Sequence, residues 1–233
     1  MIDNSAILAD LDPDQIAVVS AIRGPVCVIA GAGTGKTRVI TNRIAYAINA
    51  GVTDPTKVLA LTFTAKAAGE MRSRLRTLGI SNGAARTFHS AALKQLLYFW
   101  PYAFGGQFPT LLTTKSGFIS QAISRAEVAM PASVNALREI AGEIEWPKVL
   151  EISPDNYQEE AIANSRSVRL PNNKSENENL AMISQVYEAY ESLKKQERCL
   201  DFEDVLLLTV GMLEEDRGVR ERVRDQYRYF TVD

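Results

Sequence analysis

The chain is poor in the residues that build metal centres and covalent frameworks. Its 233 residues include two cysteines, Cys27 and Cys199, and a single histidine, His89. There is no Cys-x-x-Cys pair, so neither a disulfide scaffold nor a structural zinc site is expected. Such sparse cysteine fits a reducing, cytoplasmic setting. Long apolar runs are missing too, and none reaches the roughly 18 residues that a membrane-spanning helix needs. The amino-terminal stretch holds Asp3, Asp10 and Asp12 and no basic residue, so it is not expected to act as a secretory signal. No internal repeat is present.

What remains is an ordinary globular composition. Hydrophobic residues make up 46% of the chain and charged residues 23%, enough for one large domain or two small ones with a proper core. The 26 basic and 28 acidic residues leave a net charge of −2. Taken alone, that sum argues against a nucleic-acid binder, but distribution matters more. Between Thr62 and Ser90 the charged residues are Lys66, Glu70, Arg72, Arg74, Arg76 and Arg86, while acids gather in residues 143–160 and 176–204. A basic segment on an acidic chain predicts a local, focused anion site.

That segment lies in a region of alternating strands and helices. Residues 25–30 (Pro-Val-Cys-Val-Ile-Ala) read as a short buried strand. A glycine-rich turn follows. Residues 37–49 then place Val39, Ile40, Ile44, Ala47 and Ile48 at helical spacing, ended by Gly51. Further strands are predicted at 58–63 and 85–88, with helices at 65–78 and 90–99. Strands alternating with helices of this length mean βαβ units and a parallel sheet.

The pattern changes after Trp100-Pro101. Gly105, Gly106 and Pro109 mark a loop, and residues 115–198 read as helical without a convincing strand. Ser153-Pro154 looks like an N-cap with proline at the first helical position. Ser175-Glu176-Asn177-Glu178 reads as a capping box. Behind it Leu180, Ile183, Val186, Tyr187, Tyr190 and Leu193 form one apolar stripe. Residues 168–179 are polar and read as an exposed loop. Tyr229-Phe230-Thr231-Val232 resembles the early apolar runs, so the sheet is predicted to resume there. The expected organisation is a split α/β domain, residues 1–92 and 201–233, with an all-α insertion at 93–200. A chain that stops on a core strand also leads us to expect a fragment boundary.

The strongest chemical signal is Ala30-Gly31-Ala32-Gly33-Thr34-Gly35-Lys36-Thr37, placed between a predicted strand and a predicted helix. That is the context of a phosphate-binding loop. Glycines let backbone N–H groups close around phosphate oxygens, and the helix N-terminus adds positive potential. Lys36 would reach the β- and γ-phosphates, and the Thr37 hydroxyl would coordinate Mg²⁺. Ala30 stands where the strict pattern has glycine. Asp233 follows a strand-like run and is placed to supply a carboxylate to the same Mg²⁺.

Other candidates are open to two readings from their spacing. Asp12-Pro13-Asp14-Gln15 is a helix start with Gln15 at N3, yet the Gln15 amide could also read adenine. Thr62, Phe63, Thr64, Ala65 and Lys66 end the second strand. They are either a core phenylalanine and a helix cap, or a base-stacking aromatic beside hydroxyls and a lysine. Arg74 and Arg76 fit a solvated face on which Glu70 pairs at i±4. Arg86, Thr87, Phe88, His89 and Ser90 end the third strand at the same edge, and the pattern leaves His89 evenly poised between structure and function. Asp201 with Glu203 and Asp204 is explained by a helix N-cap and an acidic first turn better than by a metal site.

Together these residues resemble the UvrD/Rep/PcrA family of superfamily 1 DNA helicases, over about residues 11–233. The match is close over 11–90 and 187–204. Leu11 to Gln15 resembles the family's upstream glutamine motif. Its phosphate loop often has alanine at the position of Ala30. Leu61 to Ala68, with Glu70, Met71 and Arg74, resembles its next motif, except that Ala65 stands where asparagine is usual, so a DNA contact from that side chain is not expected. Thr87 to Ser90 matches a Thr-Phe-His-Ser motif. Leu200 to Asp204 resembles the segment returning from the helical insertion. Val232-Asp233 resembles the start of the second nucleotide motif, whose next family residue is the catalytic glutamate.

The resemblance implies a RecA-like P-loop NTPase fold, a parallel sheet flanked by helices, with an inserted helical subdomain. ATP and Mg²⁺ are the implied cofactors. Gln15, Ala30, Gly31, Ala32, Gly33, Thr34, Gly35, Lys36, Thr37 and Arg38 are the implied nucleotide contacts. Lys36, Thr37 and Asp233 are the implied catalytic groups, with Thr37 and Asp233 holding the metal. Thr62, Phe63, Thr64, Lys66, Thr87, Phe88 and His89 are the implied DNA contacts. The whole enzyme is expected to translocate 3′→5′ on single-stranded DNA in repair or replication, with a second RecA-like domain beyond Asp233. By itself the chain is expected to bind nucleotide weakly and to hydrolyse it hardly at all. Two alternatives are the ATPase module of a helicase-nuclease that processes DNA ends, and a non-hydrolysing single-strand binder.

Overall fold

A computed structural model describes residues 3–31, 33–168, 170–172 and 174–233. The chain forms two compact units, one of Met1–Phe99 with Gly211–Asp233 and the other of Trp100–Val210. The first unit opens with α1 (Asn4–Leu8), α2 (Pro13–Ser20) and α3 (Lys36–Asn49), followed by β1 (Val58–Thr62), α4 (Ala65–Thr77) and β2 (Ala84–Thr87). The helix α5 (Phe88–Ala103) leads out of it. The second unit holds β3 (Thr110–Leu111), α6 (Ser116–Arg125), α7 (Val134–Val149), α8 (Tyr157–Ala163), α9 (Glu176–Glu197) and β4 (Cys199–Leu200). The helix α10 (Phe202–Glu215) leads back, and α11 (Arg217–Gln226) and β5 (Tyr229–Val232) complete the first unit.

The sheet of the first unit has the order β2-β1-β5, and both pairings are parallel. The β1 run Val-Leu-Ala-Leu-Thr is apolar at nearly every position because a central strand is covered on both faces. Val58, Ala60 and Ala85 pack with Met71 and Leu75 of α4, Val39 and Ile44 of α3, and Ile7 and Val19 from the first two helices. The strand-helix alternation therefore stands, with one exception. Residues 25–30 form no strand: they join no ladder among the described residues, Cys27 is exposed, and Ile29 is 97% exposed. A strand has no hydrogen bonds of its own and exists only by pairing. Apolar composition makes such a run eligible for a sheet without placing it there.

Two other expectations shift. α5 begins at Phe88 and runs through Trp100-Pro101 to Ala103. Pro101 is exposed, so the carbonyl four residues earlier that it leaves without an amide partner can be hydrated. The polar stretch 168–179 is anchored, because Val168 and Leu170 are buried in the helical core and Asn179 donates to the Val168 carbonyl at 3.3 Å. Two apolar residues at alternate positions drive that segment inward, a signal that average polarity conceals.

The helical unit is built on the α9 stripe. Leu180, Ile183, Val186, Tyr187, Tyr190 and Leu193 are all buried, against Ile119, Ile140, Ile144 and Tyr157. Ser175 and Glu178 form the reciprocal capping box at its start. At its other end lies a buried ionic cluster. Asp201 accepts the Asp204 amide hydrogen at 3.0 Å, and Asp204 accepts that of Asp201 at 2.9 Å, which caps α10. The Lys148 ammonium bonds Asp201, Asp204 and Glu191, and the Lys194 ammonium bonds Asp201 and Asp204. Tyr190 donates to Asp201 at 3.0 Å. Burial alone would push the Asp201 carboxyl up, but the two ammonium groups outweigh it and hold it well below the usual carboxylate range. Burial likewise opposes the charge of Lys148, and Asp201, Glu191 and Asp204 overcome it, raising the ammonium above its ordinary value. Three of these carboxylates lie close enough to share an ion, and the two lysines fill that role.

Candidate functional site

The parallel sheet delivers several candidate residues to one edge. Register aligns Thr62 with Thr87 and Leu61 with Val232, so Phe63, Phe88 and Asp233 all follow strand ends on the carboxyl side, where open parallel sheets bind ligands. The loop leading into α3 lies there as well. Gly33 and Gly35 have φ of 80° and 81°, left-handed values that a side chain would strain. Gly35 caps α3 without a side-chain hydrogen bond, so the first amides of α3 remain available to an anion.

The side chains of this loop point back onto it. Lys36 Nζ donates to the carbonyls of Ala30 at 3.1 Å and Gly31 at 2.7 Å. Thr34 Oγ1 donates to the Gly31 carbonyl at 2.9 Å. The two polar atoms of the Gln15 amide serve different elements: Oε1 accepts the Asp12 amide hydrogen at 3.3 Å, and Nε2 donates to the Thr34 carbonyl at 3.2 Å. The capping interpretation of Gln15 is therefore correct and incomplete, since the same side chain ties α2 to the loop. Ala32 lies outside the described residues.

One long-range hydrogen bond joins Thr37 to Asp233. The Thr37 hydroxyl donates to Asp233 Oδ2 at 3.1 Å across 196 positions of sequence. A hydroxyl and a carboxylate oxygen at this separation suit a hard divalent cation. Beside the loop is a cavity of about 920 Å³, lined by Gln15, Thr34, Lys36, Asp233, Val28 and Phe230 among others.

The second candidate set divides by exposure. Phe63 is 85% exposed and Phe88 40%, so Phe63 is not the core residue that spacing allowed. Thr62 is buried in the sheet. Thr64 caps α4 by accepting the Ala67 amide hydrogen at 3.1 Å, and Thr87 accepts that of Ser90 at 3.2 Å as α5 begins. Lys66 is exposed and His89 is half-buried in the first turn of α5. The neighbouring arginines separate: Arg74 pairs with Glu70 at 2.6 Å on the solvated face, whereas Arg72 donates to the Ala85 carbonyl at 2.6 Å and holds α4 to β2.

The order of these features agrees with one known family. Residues 11–233 match the UvrD/REP helicase N-terminal domain. The chain belongs to this family. Among similar proteins, ATP-dependent DNA helicase UvrD2 of Mycobacterium tuberculosis strain H37Rv is 43% identical over all of this UvrD/REP-type chain and 33% of its own length. ATP-dependent DNA helicase PcrA of Leuconostoc citreum is 30% identical over 94% of this chain and 28% of its own. PcrA of Staphylococcus aureus strain COL is 26% identical over 98% of this chain and 30% of its own. The chain thus spans about a third of the length of the curated relatives it matches.

Two contacts of this UvrD/REP-type unit have no sequence signature. Arg38 donates to the Asp10 carbonyl at 2.8 Å and lies 3.4 Å from its carboxylate. Arg43 donates to the Ala21 carbonyl through Nε and Nη2 and sits over the Tyr229 ring at 5.3 Å. Both link positions far apart in the chain, which no periodicity connects.

Proposed function

We propose that this chain is the ATP- and single-stranded-DNA-binding part of a DNA helicase that translocates 3′→5′. The observation that carries the reading is the meeting of Thr37 and Asp233 at 3.1 Å, beside a lysine-bearing glycine loop and on the sheet edge that presents Phe63. Lys36, the amides of residues 31–37 and the N-terminus of α3 bind the nucleotide phosphates. Gln15 turns its amide to adenine, and Arg38 contacts the nucleotide from the first turn of α3. Thr37 and Asp233 hold Mg²⁺, which when bound neutralises charge on the phosphate oxygens. Phe63 and Phe88 offer faces on which bases stack, and Thr64, Lys66, Thr87 and His89 hold the strand's backbone. Thr62 supports Phe63 from inside the sheet.

The domain organisation follows from this reading. Residues 1–92 and 201–233 are assigned to a RecA-like ATP-binding domain and residues 93–200 to an insertion, whereas the compact units divide after Phe99 and Val210. In the whole protein a second RecA-like domain closes over ATP and supplies the charge that stabilises the transferred phosphoryl group. ATP hydrolysis by the whole protein, with and without single-stranded DNA and beside Lys36→Ala, tests the proposal. Strong stimulation by DNA that disappears in the variant is the expected result. Hydrolysis indifferent to DNA would return Phe63, Thr87 and His89 to structural roles.

A further inference from the structure

Five basic side chains lie between Thr62 and Ser90, and they are held differently. Arg72 bonds the Ala85 carbonyl and Arg74 pairs with Glu70, while Lys66 and Arg76 stand in solvent. Arg86 does neither. It is half-buried, and its Nε is sealed from water without a hydrogen-bond acceptor. Among the described residues no carboxylate or carbonyl bonds any part of its guanidinium. Residues of this chain close Nε off, so no segment beyond them can supply that hydrogen bond. The two outer nitrogens are not sealed in with it, so the stem is fixed in the protein while the tip of the fork meets solvent. A half-buried charge without compensation is unfavourable, and an unsatisfied buried polar atom calls for a functional reason.

The sheet shows which anions Arg86 cannot serve. Ala85 pairs with Ala60 on the face packed against α3 and α4. Alternation sends Arg86 to the opposite face, in one row with Leu61 and Val232. Neither neighbour can take its charge. Asp233 follows Val232 onto the first face, where it meets Thr37. β2 and β5 flank β1, so the two outer strands stand roughly 10 Å apart. The phosphates of a nucleotide are therefore not its anion. One residue further, about 3.3 Å along the strand, begins Thr87 to His89, the segment read above as holding the backbone of single-stranded DNA. A guanidinium presents paired N–H donors that match a phosphate, and a stem already fixed loses little freedom on binding.

We propose that Arg86 is a phosphate-binding residue of the DNA track, holding the strand's backbone beside Thr87 and His89 from the face of the sheet opposite the nucleotide. The inference rests on the DNA-binding reading above. It supplies the track with a charge held in place by the sheet, whereas that of Lys66 stands in solvent.

Salt dependence tests the assignment, because a structural arginine would not move it. The whole protein is titrated against a fluorescently labelled oligothymidylate by anisotropy, from about 50 to 200 mM salt, beside Arg86→Gln and Arg86→Lys. Loss of one phosphate contact should make the slope of log affinity against log salt shallower by about 0.7 in Arg86→Gln. The lead of the native protein over this variant then shrinks about two- to threefold across that range. Arg86→Lys keeps the charge and should retain the native slope. Thermal unfolding of Arg86→Gln should be unchanged or higher, because an uncompensated charge has been removed. Equal slopes for the native protein and Arg86→Gln would overturn the inference and leave the DNA reading standing. If Arg86→Gln fails to fold or unfolds at a lower temperature, the arginine serves a carboxylate elsewhere in the protein and the inference falls. Native protein that does not bind the oligothymidylate would instead remove the reading on which it rests.

Discussion

Lys148→Met probes the buried ionic cluster most sharply. Methionine keeps the length of the aliphatic stem and removes the charge. Lys148 is 3% exposed, and its ammonium bonds Asp201 at 2.8 and 2.9 Å and Glu191 at 2.9 Å, with Asp204 beside them. Asp201 is 0% exposed, so water cannot replace what is lost. Removing one member of a buried pair costs about 3–5 kcal/mol. Lys194 and Tyr190 still reach Asp201, at 2.9 and 3.0 Å, which places the expected loss near the lower bound, about 3 kcal/mol. For a chain of this size that corresponds to a fall in Tm of roughly 6–12 °C. Both tryptophans, Trp100 and Trp146, lie in the helical unit, so urea unfolding followed by tryptophan fluorescence reads this unit. Lys174→Ala is the control, because it lies in the same unit and its pairing with Glu178 is between exposed side chains and surface pairs contribute little. A Lys148→Met loss no larger than that of the control would refute the argument that this cluster holds the unit together.

Three further outcomes follow from other parts of the molecule. The depressed Asp201 carboxyl contributes stability that is complete above the unfolded aspartate value, about 4, and is lost as pH falls through that value toward the folded one. Urea midpoints measured from pH 7 down to pH 3 should therefore drop more steeply for the native chain than for Asp201→Asn, and parallel slopes would contradict the assignment. Phe63→Ala should weaken single-stranded DNA binding by about 1–3 kcal/mol, the contribution of one stacked base. It should leave thermal unfolding unchanged, because the ring is 85% exposed; equal affinity by fluorescence anisotropy would remove Phe63 from the DNA track. Asp233→Asn should weaken nucleotide binding in Mg²⁺ while leaving binding in EDTA unchanged, and an equal loss in both would mean the carboxylate does not serve the metal.

Much of this architecture is legible in local patterns, and particular residues show why. The Asp12–Gln15 cap, the Ser175–Glu178 box and the α9 stripe involve neighbours within a turn or two, where spacing alone decides geometry. The β1 run announces a central strand because both of its faces are apolar. The glycine–lysine–threonine loop is also local, since its chemistry depends on contiguous residues and on the helix that follows. The resemblance to the UvrD/Rep/PcrA family rested on such segments, and family membership confirms it.

Tertiary structure alone decided the rest. The sequence marked residues 25–30 as apolar and strand-like, but pairing depends on a neighbour and an open edge. It left Phe63 between core and surface, because exposure is a property of what covers a side chain. It showed an acidic N-cap at Asp201 and could not reveal Lys148, whose ammonium arrives from another helix. It placed Thr37 and Asp233 at opposite ends of the chain, and only the folding of the first unit brings them to 3.1 Å. Local free energy governs helices, caps and turns within a few residues, whereas burial, pairing and charge compensation depend on distant segments that meet only when the chain folds.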